Sequence, residues 1–174
     1  MSRSTVLRCA ATVEHPAGMS VLIAARAFAK GLGARAVALA LARGLERRGL
    51  VEPQLLELPP PTARGDALGE LLARERFDAR AHAARAVVVA VPELRERSLA
   101  DSPLFELATR TRQAGVPTYA VAARSSLDSF DARILDLQLV LEAASARSLS
   151  AAGVKLAALL RPRALSAGSA RTRR

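Results

Sequence analysis

Met19-Ser-Val-Leu-Ile-Ala-Ala-Arg-Ala-Phe-Ala-Lys-Gly-Leu-Gly-Ala-Arg-Ala-Val-Ala-Leu-Ala-Leu-Ala-Arg-Gly-Leu-Glu-Arg-Arg-Gly49 is a strand, a loop and a helix in that order. Val21 to Ala24 is short, apolar and rich in β-formers, which fits a buried strand better than a helical turn. A glycine-containing loop follows. From about Ala34 to Arg48 the pattern becomes helical, with Val37, Leu41, Leu45 and, offset, Ala38 on one stripe that faces a sheet. Gly49 ends it with a residue that tolerates the left-handed cap. In parallel α/β folds such a unit sets the first, usually central, strand, and its loop lies at the carboxyl edge where ligands bind.

Outward from that unit, strands and helices keep alternating. Glu52 to Leu58 reads as a second strand, with Pro53 pushing it to an outer position or a late start, and Pro59-Pro60-Pro61 stops it. Ala67 to Arg74 and Phe77 to Arg85 are helical in composition. Ala86-Val-Val-Val-Ala-Val91 is the continuous apolar run of a strand covered on both faces. Asp101-Ser102-Pro103 opens a helix, Ser102 capping and Pro103 in the first turn; it runs from Leu104 to Gln113 and stops at Gly115. Val116 to Ala122 is a fourth strand, Arg124 to Ala132 a polar loop or short helix, and Leu137 to Leu141 a fifth strand. Leu149 to Leu160 closes the chain as an amphipathic helix on Leu149, Val154, Leu156, Leu159 and Leu160. The expected fold is α/β: a three-layer flavodoxin-like or Rossmann-like domain with a five-stranded parallel sheet in the order 2-1-3-4-5.

The 174 residues suit one domain. Residues 1–18 show no period and are expected to be a disordered extension, 19–160 the α/β domain, and 161–174 a basic disordered tail. Net charge is +10, but the tail contributes five positive charges with no acid and the extension one. The basic residues are nearly all arginine, with Lys30 and Lys155 the two lysines, beside heavy alanine use, as a GC-rich genome produces. A nucleic-acid partner is therefore not expected, and aromatics to stack on bases are few. Cys9 stands alone, so no intrachain disulfide forms and a reducing cytoplasm suits the chain. No run reaches the roughly 18 apolar residues of a membrane span.

The opening unit also resembles the type 2 glycerate kinases. That family runs from a strand into Ile-Ala-Pro-Asp-Ser-Phe-Lys-Gly-Ser-Leu-Ser-Ala and then a helix ending Ala-Arg-Gly-Leu. This chain has Ile23-Ala24-Ala25-Arg26-Ala27-Phe28-Ala29-Lys30-Gly31-Leu32-Gly33-Ala34 and Ala42-Arg43-Gly44-Leu45 in one ungapped register. The scaffold is kept, while Ala25, Arg26, Ala27 and Ala29 replace the family's Pro, Asp, Ser and Lys. After the second strand the family's Asp-Gly-Gly-Glu-Gly-Thr loop is reduced to Gly65 and Asp66. After the third, its Thr-Gly-Glu-Gly-Arg becomes Val91-Pro92-Glu93-Leu94-Arg95, and Ser98-Leu99 matches a later step. The second lobe is missing.

The resemblance implies phosphorylation of glycerate by ATP with Mg2+, in a chain whose polar loops are largely erased, so that weak or no catalysis is expected of it alone. Lys30, in a Lys-Gly pair displaced by one residue from the family's, and Glu93 are the catalytic candidates. Arg26, Gly31, Gly33, Asp66 and Arg95 are the ligand or phosphate candidates, Asp66 having the alternative of a helix cap, and no metal ligand is assigned. Two other readings stay open. One is a non-catalytic domain binding a ligand or a partner, with homo-oligomerisation or pairing with a full-length paralogue through the surface the lost lobe would have covered. The other is dinucleotide binding through Gly31-Leu-Gly33-Ala-Arg-Ala36 with Glu57 on the ribose, against which five residues separate the strand from Gly31. His82 has no second ligand at helical spacing.

Overall fold

The computed structural model describes residues 20–29, 31–49, 53–60, 66–95 and 102–160. Five strands, β1 (Val21–Ala25), β2 (Gln54–Glu57), β3 (Ala86–Leu94), β4 (Thr118–Ser125) and β5 (Leu137–Glu142), form one sheet in the order β2-β1-β3-β4-β5. Every neighbouring pair is parallel. Between and after the strands come α1 (Ala34–Glu46), α2 (Ala67–Arg74), α3 (Phe77–Ala83), α4 (Pro103–Gln113), α5 (Ser129–Ile134) and α6 (Ala146–Leu160). This is the three-layer flavodoxin-like arrangement that the alternation of periods predicts.

Alternation along the strands divides the core between two faces. Val21, Ile23 and Ala25 of β1 turn to the layer of α1 and α6, where Val37, Leu41, Leu45, Leu149 and Leu156 are buried. Leu22 and Ala24 turn the other way, to Leu72, Phe77, Leu104 and Leu107 of α2, α3 and α4. All five β1 residues are buried, as a strand covered on both faces requires.

The first and last helices meet over two glycines. A Cβ built on Gly44 would lie 2.1 Å from the Ser150 carbonyl oxygen, and one on Gly153 would lie 2.3 Å from that of Leu41. Such closeness puts the small residues Ala152, Gly153 and Ala157 of α6 in the buried face and turns Leu159, 57% exposed, away from it. The expected stripe through Val154 and Leu159 is corrected accordingly: backbone proximity, not side-chain bulk, sets this face.

On the opposite face a polar pair is buried. The Thr111 hydroxyl reaches the Leu107 carbonyl at 2.9 Å and the Ala108 carbonyl at 3.0 Å, and hydrogen-bonds the Thr118 hydroxyl of β4. Arg80 of α3 ties down the β2 edge, donating to the Leu55 carbonyl at 3.0 Å and to Gln54 Oε1 at 3.0 Å. Caps fall where the sequence puts them: Asp66 Oδ1 accepts from Gly69 N–H at 3.0 Å, Ser102 Oγ from Phe105 N–H at 3.3 Å, and Gly49 takes φ +79°. Asp128 Oδ1 accepts from Phe130 N–H and Asp131 N–H, which makes the polar stretch after β4 a true short helix.

The third and fourth strands run further than the sequence suggests. β3 continues to Leu94 because β4 continues beside it, Glu93 opposite Arg124 and Leu94 opposite Ser125. Pro92 is tolerated inside it for a specific reason. Ala90 turns its carbonyl to β1, where Arg26 N–H donates at 2.8 Å, and Pro92, two residues on, points its missing N–H to the same side after β1 has ended.

Candidate functional site

In the order β2-β1-β3-β4-β5, the connection from β1 turns toward β2 while that from β3 turns toward β4. The chain thus parts at the carboxyl ends of β1 and β3, the position where open α/β sheets bind ligands. An open cleft of about 330 Å³ lies at this edge. Phe28 and Ala29 from the β1–α1 loop, Pro92 and Glu93 from β3, Arg124 from β4 and Ala144 after β5 line it.

The β1–α1 loop folds on itself. Phe28 N–H donates to the Leu32 carbonyl and Leu32 N–H to that of Ala29, both at 3.0 Å. Gly31 closes the turn at φ +90°, a conformation that excludes most side chains. Gly33 is the N-cap of α1; it offers no side-chain cap, and a Cβ there would meet open space. Lys30, between Ala29 and Gly31 in the sequence, lies outside the described residues, as do Gly65, Ser98 and Leu99.

The cationic groups form the site's second component. Arg26 immediately follows β1 and is half-buried; its Nε is buried with no hydrogen-bond partner. Desolvation holds its guanidinium below the usual arginine range. Among the described residues no carboxylate pairs with Arg26 or with Arg124. Glu93 is the one carboxylate lining the cleft, and it is engaged: Arg95 Nε sits 2.7 Å from its Oε1.

The sequence-predicted residues therefore separate. Glu93 and Arg95 meet as an ion pair at the end of β3, Gly31 and Gly33 frame the turn above β1, and Arg26 stands at that strand's end. Asp66 caps α2. Glu57, the ribose candidate, ends β2 with Arg35 of α1 at 3.5 Å, both well exposed. Arg124 escapes the sequence reading, which ends β4 at Ala122: the strand is buried continuously from Thr118 to Ala122, and no alternation carries it on to Arg124.

Mg2+ demands several oxygen ligands in near-octahedral geometry. Among the described residues no group of three His, Cys, Asp or Glu side chains could hold a metal ion, and the cleft's carboxylate already answers an arginine. These residues do not fit magnesium. Unpaired guanidinium groups, by contrast, fit the carboxylate or phosphate oxygens of a small anion, which they bind in forked geometry.

The fold and its cleft define the class as a three-layer α/β domain with an arginine-bearing crevice at its topological switch point. No family model matches the chain, and no curated protein matches it. A solved structure similar to it is that of a pilus assembly-related protein from Burkholderia pseudomallei, at 18% identity and a TM-score of 0.43, covering 83% of this chain and 92% of that one. So distant a likeness carries no argument about function. Among the described residues no helix is long and apolar enough to cross a membrane.

Proposed function

We propose that this chain is a reduced relative of the glycerate kinases that binds a small carboxylate or phosphate anion at the carboxyl edge of its sheet, with little or no phosphoryl transfer of its own. The observation that carries the reading is Arg26, a half-buried guanidinium without an acid partner among the described residues, at the end of β1, where the family has aspartate. Leaving a buried donor unsatisfied costs about 1–3 kcal/mol. An anionic ligand supplies the missing acceptor, and desolvation around it strengthens the contact.

Phosphoryl transfer asks for the reverse endowment. Carboxylates must hold the metal, and backbone donors with a cation must hold the phosphates. Here an arginine stands at the first carboxylate position, and an ion pair engages the glutamate. Lys30 beside Gly31 is the remaining candidate for the family's cation.

Two measurements test this. Titration calorimetry with D-glycerate and, separately, inorganic phosphate should show binding that Arg26→Gln weakens at least about 10-fold, the loss expected for a charge-assisted hydrogen bond. A coupled assay with Mg-ATP and D-glycerate should show no turnover above background. Turnover that disappears in Lys30→Ala would instead establish the full family activity. Absence of binding to both anions would remove the anion-site reading.

A further inference from the structure

Arg124 has a glutamate on each neighbouring strand and pairs with neither. On β3, Glu93 is its register partner; on β5, Glu142 lies opposite Ala122, two residues earlier along β4. Opposite charges in register on neighbouring strands attract, so a bridge from Glu93 to Arg124 is the expected arrangement. The structure has another. Glu93 Oε1 lies 2.7 Å from Nε of Arg95 on its own strand, and Glu142 Oε1 accepts from Ser125 N–H at 2.9 Å. Among the described residues no carboxylate pairs with Arg124.

The backbone that carries Arg124 is nonetheless held from both sides. Ser125 N–H donates to Glu142, and Ser126 N–H to the Leu94 carbonyl at 2.9 Å. Arg124 and Glu93 both line the cleft, beside the apolar Phe28, Pro92, Ala123 and Ala144, whereas Arg95 stands outside that lining. A guanidinium on a fixed strand, with its acidic neighbours engaged elsewhere, is preorganised to receive an anion.

We propose that Arg124 is an anion-binding residue of the cleft and that Arg95 is a positioning residue, which keeps Arg124 open to ligand by holding Glu93 away from it. The proposal rests on the reading of this sheet edge as an anion site and takes the same ligand chemistry, the terminal oxygens of a carboxylate or phosphate, which a guanidinium binds in forked geometry. Without Arg95, Glu93 turns to its register partner and occupies the group that the ligand needs.

Titration calorimetry of the full chain with inorganic phosphate and, separately, D-glycerate tests this, at low ionic strength because all three side chains are exposed. Arg124→Gln should weaken binding at least about 10-fold. Arg95→Gln should weaken it about 3-fold, the scale of an exposed ion pair. The deciding measurement is Glu93→Gln in two backgrounds. In the parent, where Arg95 already holds the glutamate, it should leave affinity unchanged; in Arg95→Gln it should restore the loss of about 3-fold. Circular dichroism should be the same for every variant. An equal effect of Glu93→Gln in both backgrounds would mean that Arg95 acts through its charge alone, and overturns the positioning role. Binding that Arg26→Gln weakens and Arg124→Gln leaves intact overturns this proposal and spares the anion-site reading, whereas binding of neither anion overturns both.

Discussion

Replacing Gly44 by alanine sets two effects of opposite sign against each other. Alanine in a helix interior is worth about 1 kcal/mol over glycine, so propensity alone predicts a more stable protein. The packing opposes this. The new methyl would stand 2.1 Å from the Ser150 carbonyl oxygen and 2.8 Å from the Gly153 Cα, both backbone atoms that cannot rotate away. Restoring an ordinary C···O contact of about 3.3 Å requires α1 and α6 to part by about 1 Å. A gap of that size forfeits a quarter to a half of the dispersion energy of every pair across it, and Leu41, Leu45, Leu149 and Leu156 all lie at that layer. Overpacking of this kind costs about 1–3 kcal/mol, and the parted helices add to it. Net of propensity, we expect Gly44→Ala to destabilise by about 3 kcal/mol and to lower Tm by about 10 °C. Urea denaturation and thermal melting followed at 222 nm measure both. A variant as stable as the parent, or more so, would refute the glycine contact as the feature that sets the α1–α6 distance.

Thr111→Val strands the Thr118 hydroxyl and should cost about 1–3 kcal/mol, whereas the double Thr111→Val/Thr118→Val variant should lose less than the sum of the singles in a denaturant cycle. Tyr119 is the one tyrosine in a chain without tryptophan, and burial holds its pKa above the ordinary value, an effect that Arg85 partly offsets. As pH rises through about 10 the unfolded chain releases this proton first. The stability contribution is therefore complete below that pH and lost above it. Absorbance titration at 295 nm should place the folded midpoint above that of the denatured chain, and Tyr119→Phe should flatten the alkaline decline; a midpoint at or below the denatured value would contradict the burial. Arg26→Leu should raise Tm by a few degrees in the absence of anions, since it removes an unsatisfied buried donor, and should abolish any thermal shift produced by phosphate or D-glycerate.

The sheet was legible because its signals are local. Val21 to Ala25 and Ala86 to Val91 are apolar at every position, and Asp66, Ser102 and Gly49 carry caps in their own chemistry. Strand ends were less legible because they depend on the neighbour: β3 reaches Leu94 only because Arg124 and Ser125 lie beside it. The face of α6 was hidden for a related reason, since hydrophobic periodicity weights leucine and ignores the glycine through which two backbones touch. At the site, Arg26, Glu93 and Arg95 could be named from sequence, but the engagement of Glu93 and the isolation of Arg26 are facts of three-dimensional pairing. Arg124 comes from a different strand, and no spacing along the chain announces its presence in the cleft.

The Gly44–Gly153 crossing also fixes an order of events. The first helix can bury Leu41 and Leu45 fully only against the last, which is made more than a hundred residues later. A chain emerging from the ribosome can pair β1, β2 and β3 well before α6 exists, but the layer over Ile23 and Val88 stays open until α6 has been made. Loop closure on that scale makes the final docking slow relative to local helix formation. Until then the nascent chain presents this apolar face to whatever holds it, and the layer closes as α6 arrives.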